Sequence, residues 1–182
     1  RKQGAPKIAR QGATAKPATA QNFFLPKSNS KSRTPLYLFL GLLVIVTGAG
    51  GFIGSHLTEV LIAQGIPVRN ADITAPALEA HRELWTECDI MSREQLSSVF
   101  AEFAPTHVVH LAAKANLKGT SIADFPENTV GTENMVHCVN AQESVRRVMH
   151  FSTQYVVRPG VWPESEESLL PYTPYGESKA ES

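Results

Sequence analysis

Tyr175 and Lys179 stand four residues apart, directly after the pair Thr173-Pro174. Thr followed by Pro makes a good helix start, because the hydroxyl can cap and proline suits the first turn. Residues four apart share one face of a helix, so an ammonium would lie near a phenol. A cation beside a phenol favours the phenolate, and the first helical turn adds positive potential. Such a tyrosine could exchange a proton near neutral pH, although an unperturbed phenol ionises near ~10. The same spacing is common on ordinary exposed helices, so the pair alone marks no site. Thr153, at the end of the stretch "RVMHFST", could supply a hydroxyl to the same cleft.

A second group of residues has the chemistry of an anion site. Gly48, Gly51 and Gly54 follow the pattern G-x-x-G-x-x-G within "TGAGGFIG". Glycine lets the backbone turn tightly and approach a pyrophosphate, and free N–H groups at a helix start stabilise its negative charge. A glycine turn can also simply join strand to helix. Asp72 stands eighteen residues beyond Gly54, at the end of a second short strand, Pro67 to Ala71. An acid near that spacing can accept hydrogen bonds from an adenosine ribose and would repel a 2′-phosphate, which favours NAD over NADP.

The elements that must position these residues alternate along the chain. Leu42 to Val46 has no polar break, as expected of a parallel strand buried on both faces. A helix follows the glycines, with Ile53, Leu57, Val60 and Leu61 expected on its core face and Gly65 ending it. Leu84 to Ile90 reads as the third strand, and Ser92 with Gln95 forms a capping box for a helix carrying Leu96, Val99, Phe100 and Phe103, stopped by Pro105. His107 to Ala113 is the fourth strand, Glu127 to Ala141 a helix, and Arg147 to Thr153 the fifth strand. This repetition predicts an α/β fold, a Rossmann-like doubly wound parallel sheet with its ligand at the carboxyl ends of the strands.

Composition bounds the remaining possibilities. The 182 residues suffice for one sizeable core, and 17 basic residues balance 17 acidic ones, so no global charge points to nucleic acid. Eight of the basic residues precede the first acid, Glu59, which makes residues 1–35 a basic leader expected to be disordered. Such a leader is compatible with organelle import, a flexible tail, or translated sequence upstream of a true start. Thr34 to Thr58 carries no charge, but its continuous apolar run, Leu36 to Val46, has eleven residues against the ~20 needed to span a bilayer. A buried strand is therefore preferred to a membrane anchor. Cys88 and Cys138 match no paired metal or redox spacing, and His107 and His110 would face opposite sides of a strand, so no metal site is expected.

The ordered motifs "TGAGGFIG", "HLAA", "NTVGTEN", "FST" and "YGESK" resemble those of the extended short-chain dehydrogenase/reductases, the NAD-dependent nucleotide-sugar epimerases and dehydratases, from about Leu42 to Ser182. The resemblance implies an NAD-binding domain over residues 36–182, ending before a C-terminal substrate-binding region. It implies that Gly48, Gly51 and Gly54, with Phe52 and Ile53 between the last two, hold the pyrophosphate, Asp72 the adenosine ribose, and Asp89 with Ile90 the adenine edge. Ala112 and Ala113 would lie beside the cofactor, and Asn128 would brace the fourth strand at its binding site. Tyr175 would be the acid/base, Lys179 would hold the nicotinamide ribose and lower the tyrosine pKa, and Thr153 would hydrogen-bond the reacting hydroxyl. The implied reaction is oxidation of a sugar hydroxyl with hydride passing to NAD, followed in an epimerase by reduction on the other face. The implied partner is a nucleotide sugar, and the implied assembly a cytoplasmic homodimer. Dehydratases of the family place Asp and Glu after the catalytic Thr, whereas Gln154 and Tyr155 stand here. An epimerase or a simple reductase is therefore preferred, with a non-catalytic NAD-sensing protein on the same fold as the remaining alternative. Residues 1–182 alone are expected to bind dinucleotide weakly and turn over nothing.

Overall fold

A computed structural model describes residues 41–165 and 167–182. The expectations for residues 1–35, and for most of the apolar run before Gly41, lie outside the described residues. Five parallel strands form one sheet: β1 (Val44–Thr47), β2 (Val68–Asp72), β3 (Trp85–Glu87), β4 (His107–His110) and β5 (Arg147–His150). Their spatial order is β3-β2-β1-β4-β5, and every pairing is parallel. The order reverses beside β1, which is the switch point where open α/β sheets bind ligand.

β1 is buried at all four positions, and its residues divide between the two faces. Ile45 packs with Val108, Leu96, Val99, Phe100, Met135 and Cys138, beneath helices α2 (Arg93–Phe103) and α3 (Val130–Ala141). Val44 and Val46 pack on the other face with Leu61 of α1 (Phe52–Ala63) and with Ile66 and Val68. Period-two alternation in one four-residue strand thus serves two cores, which explains why it reads as a continuous apolar run.

The helices differ from expectation in instructive ways. The core face of α1 consists of Gly54, Thr58 and Leu61, with Leu57 packed alongside, while Ile53 and Val60 are about half exposed. Gly54 must abut the glycine turn, which rotates the helix so that Thr58 points inward. The Thr58 hydroxyl lies 2.9 Å from the Gly54 carbonyl and 3.0 Å from Asn70 Oδ1, which compensates its burial. At α2, Ser92 Oγ accepts from the Gln95 amide as a cap should. Gln95 Oε1, however, accepts from the amide of Asp89 at 2.8 Å and not from Ser92, so the expected box is only half closed. α2 ends at Ala104, left-handed at φ 48°, just before Pro105. α3 begins at Val130, three residues later than expected, because Pro126 to Thr129 form the turn that buries Asn128.

The third, fourth and fifth strands all stop earlier than the sequence predicted. The residues after the third and fourth strands, Cys88 to Ile90 and Leu111 to Ala113, leave the sheet and line the cavity above it. Short helical turns at Ile122–Asp124 and Gln154–Val156 then support α4 (Pro174–Glu181), capped by Thr173 Oγ1 accepting from the Gly176 amide at 2.9 Å. No helix among the described residues is long and apolar enough to cross a membrane.

Phe100 is the largest side chain buried to near-zero exposure between sheet and helices. Phe100→Ala should cost about 3–5 kcal/mol in urea unfolding, whereas Ser98→Ala on the exposed side of the same helix should stay within about 0.5 kcal/mol.

Candidate active site

At the carboxyl edge of the sheet, a cavity of about 410 Å³ is lined by Gly48, Gly51, Asp72, Asp89, Ile90, Ala112 and Ala113, among others. Its floor is a backbone contact. Gly48 has φ +68°, and a Cβ there would lie 2.6 Å from the Ala112 nitrogen. A Cβ on Gly54 would lie 2.5 Å from the Gly48 carbonyl, so the helix start and the turn also touch directly. Both positions demand glycine for space, and Gly48 for its dihedral as well.

α1 opens at Gly51 with no side-chain cap and no acid in its first turn. Its first amides therefore lack intrahelical partners and present positive potential to the cavity. Phe52 (81 % exposed) and Ile53 do not line the cavity. Asp72, at the end of β2, accepts from the Gly50 amide at 2.9 Å and the Thr74 amide at 2.8 Å. The carboxylate is thus fixed at the mouth beside the glycine turn. Asp89 Oδ1 accepts from the Met91 amide at 2.9 Å, which shapes the opposite wall, and Ile90 is buried there against α3.

Asn128 is fully buried behind this wall. Its Oδ1 accepts from the Lys114 amide at 2.8 Å, while Nδ2 donates to the Lys114 carbonyl at 3.1 Å and to Ser178 Oγ at 2.9 Å. One amide side chain therefore clamps the segment after β4 to α4, and it shapes the site from behind it.

The residues expected to do chemistry stand apart from the cavity lining. Tyr175 sits between Phe125 and Tyr155, its ring centroid 5.9 Å from each. Thr153 Oγ1 accepts from the Tyr155 amide at 3.3 Å, which leaves its own proton free to donate. Lys179, at 6 % exposure, places Nζ 3.2 Å from His150 Nε2, and burial lowers its pKa from the ordinary lysine value.

Two features escaped the sequence reading. Glu127 lines the cavity, and its Oε2 is buried without a hydrogen-bond partner among the described residues. His110 is 2 % exposed, with Nδ1 2.7 Å from Thr47 Oγ1 and Nε2 3.3 Å from Thr132 Oγ1. A histidine ending an apolar strand was the only available signal for the second, and nothing in the spacing distinguishes Glu127. Cys88 also lines the cavity, but burial, with Asp89 nearby, pushes its thiol up to about 11, which leaves it no nucleophile at neutral pH.

Residues 44–182 match the model of the NAD-dependent epimerase/dehydratase family. The chain belongs to that family. Among its curated relatives, a UDP-glucose 4-epimerase of Mycolicibacterium smegmatis is 33% identical over 150 residues, covering 74% of this chain and 47% of the relative. A 3-beta-hydroxysteroid dehydrogenase of Mycolicibacterium neoaurum is 32% identical over 138 residues, covering 71% and 37%. The crystal structure of a Thermus thermophilus UDP-glucose 4-epimerase in complex with NAD superposes with a TM-score of 0.64 at 33% identity, covering 76% of this chain and 48% of that one. The chain thus spans less than half the length of these family members.

The residues present fit the family's cofactor. The glycine cradle has no room for a side chain at Gly48 or Gly54, the uncapped helix start suits a diphosphate, and Glu127 Oε2 is an acceptor that a hydroxyl or amide of a dinucleotide would satisfy.

His110 carries a pH signature. Burial, with His150 and Lys179 nearby, pushes its pKa down to about 3 from an ordinary 6.5, so it stays neutral in the fold. Its stabilising effect is complete above pH 6.5 and is lost as the pH falls from there toward about 3, because the unfolded chain binds the proton first. Between pH 7 and pH 5 the loss should be about 2 kcal/mol by urea unfolding, and His110→Gln should flatten that part of the profile.

Proposed function

We propose that this chain is the cofactor-binding and catalytic-motif portion, residues 36–182, of an NAD-dependent nucleotide-sugar epimerase. The observation that carries this reading is the fixed Asp72 carboxylate at the mouth of the glycine-floored cavity. The glycine turn and the first amides of α1 hold a diphosphate, and Asp72 accepts from ribose hydroxyls while repelling a 2′-phosphate. Asp89 and Ile90 close the adenine end, and Ala112 and Ala113 flank the cofactor. Bound NAD would supply the hydride acceptor.

The remaining chemistry belongs to side chains. Tyr175, in its phenolate form, takes the proton of the sugar hydroxyl at Oη, and the free Thr153 proton donates to the same hydroxyl oxygen. Lys179 offers ammonium protons to ribose hydroxyls. Gln154 and Tyr155 supply no carboxylate for elimination, which argues for epimerisation over dehydration. The sugar nucleotide is assigned from the UDP-glucose 4-epimerase relative, and a cytoplasmic setting agrees with two buried, unpaired cysteines. The steroid dehydrogenase relative supports a second reading, a dehydrogenase with net redox turnover.

The test is an assay of the protein that carries this chain, with NAD and a panel of nucleotide sugars. Interconversion of a hydroxyl epimer pair without net NADH is expected, and Tyr175→Phe should lower kcat by about 100-fold or more. Net NADH from a hydroxy substrate would establish the dehydrogenase instead. Unchanged turnover in Tyr175→Phe would remove Tyr175 from the chemistry.

A further inference from the structure

Lys179 presents a problem that its expected role does not solve. It is a buried cation with no carboxylate beside it, since neither ion pair among the described residues involves it. A buried ammonium without acceptors is costly. The acceptor that the fold provides is a ring nitrogen, His150 Nε2, at 3.2 Å.

That contact fixes the state of the ring. An ammonium only donates, so Nε2 must offer its lone pair and the imidazole proton must sit on Nδ1. Nδ1 is buried and meets no partner among the described residues. The tautomer is therefore set by Lys179 and not by a second hydrogen bond. Ser182 Oγ also lies 3.2 Å from Nε2, but it donates its proton to the Lys179 carbonyl at 3.1 Å and does not take the place of the ammonium.

The His150 ring is held in its turn. It stacks on His110 with centroids 5.3 Å apart and planes 23° from parallel. His110 is fixed through Nδ1 by Thr47, whose Oγ1 also accepts from the Ala112 amide at 3.3 Å. The Thr47 proton needs an acceptor, and His110 Nδ1 at 2.7 Å provides it, so His110 carries its proton on Nε2, toward Thr132. The two stacked rings thus hold opposite tautomers. Thr47 directly precedes Gly48, and Ala112 lies in the cavity wall, so this chain of contacts begins at the floor of the cofactor cavity and ends at Lys179.

We propose that His150 is a positioning residue for Lys179: its Nε2 takes one ammonium proton, sets the ammonium beneath the site, and leaves the other two protons for ligand oxygens. The part of this that concerns ligand rests on the reading of Lys179 as a cofactor contact, while the His150–Lys179 contact itself does not.

Two measurements on this chain separate the parts. Long-range ¹H–¹⁵N spectra of the histidine rings at pH 8 should show His150 as the neutral Nδ1–H form and His110 as Nε2–H, and Lys179→Met should release His150 from the Nδ1–H form. An Nε2–H or doubly protonated His150 would overturn the proposal. NADH affinity is then followed by fluorescence for His150→Phe, which keeps the stacked ring without an acceptor, and for His150→Gln, whose Oε1 can take the place of Nε2. His150→Phe should weaken binding about 10-fold, and His150→Gln should restore it to within about 3-fold, given what a hydrogen bond to a charged group contributes. In a Lys179→Met background His150→Phe should have no further effect. An equal loss in both backgrounds, or failure of glutamine to rescue, would mean that His150 only packs, and would overturn the proposal. If Lys179→Met leaves NADH affinity unchanged while the His150 tautomer is Nδ1–H, the proposed contact stands, and it is the reading of Lys179 as a cofactor ligand that falls.

Discussion

β1 and β4 lie side by side, and the chain leaves them toward opposite edges of the sheet. At their carboxyl ends the turn after β1 presses its backbone onto that of the segment after β4, with a side-chain-free Gly48 at φ +68° against Ala112. No other residue type fits that approach, and most of the site follows from it. It brings the start of α1 over the switch point and places Gly50 where Asp72 can hold its amide. It also aligns Thr47 to bind the Ala112 amide and His110 together. The cavity is therefore shaped by main-chain contacts, which are stiff, and the amides at the start of α1 are oriented before any ligand arrives.

How much of this could be read from the residues depends on how local each cause is. A buried parallel strand reads as an unbroken apolar run, and β1 is such a strand. The cap of α4 is equally local, since Thr173 and Gly176 stand three residues apart. That Gly48, Gly51 and Asp72 line one cavity was legible for the same reason: glycine spacing and an acid ending the next strand are short-range patterns with direct physical meaning. Where a distant contact decided the outcome, the pattern misled. The inward face of α1 follows the approach of Gly54 to the glycine turn, not the hydrophobicity of Ile53 and Val60. Gln95 takes the Asp89 amide, while the Ser92 amide donates to the Asp89 carbonyl at 2.9 Å. The strands were read too long because residues such as Leu111 to Ala113 remain apolar after leaving the sheet to line the cavity.

The same logic explains what no pattern announced. Asn128 and Ser178 are fifty residues apart, and His150 and Lys179 are twenty-nine apart. Neither pair has a period or a motif of its own. A brace on the fourth strand could be expected of Asn128 by resemblance, but its grip on α4 exists only in three dimensions. Polar contacts of this kind are expensive to leave half-made in a buried setting, so each fixes geometry more sharply than an apolar contact of similar area.

The two halves of the site are consequently held by different means. The cofactor half rests on backbone approach and on strands paired across a sheet. The half that carries Tyr175 and Lys179 rests on α4, an eight-residue helix supported by two short helical turns and by the Asn128–Ser178 clamp. A helix of that length has little stability of its own, so its position depends on its side-chain contacts. Among the described residues, Tyr175 is held by aromatic neighbours and the Lys179 ammonium by a single ring nitrogen. Burial makes that arrangement consequential, because an ammonium removed from water must find acceptors and will order itself around them. The alignment of Tyr175 and Lys179 with the cavity is then set less by α4 itself than by the polar side chains that tie it to the ends of β4 and β5.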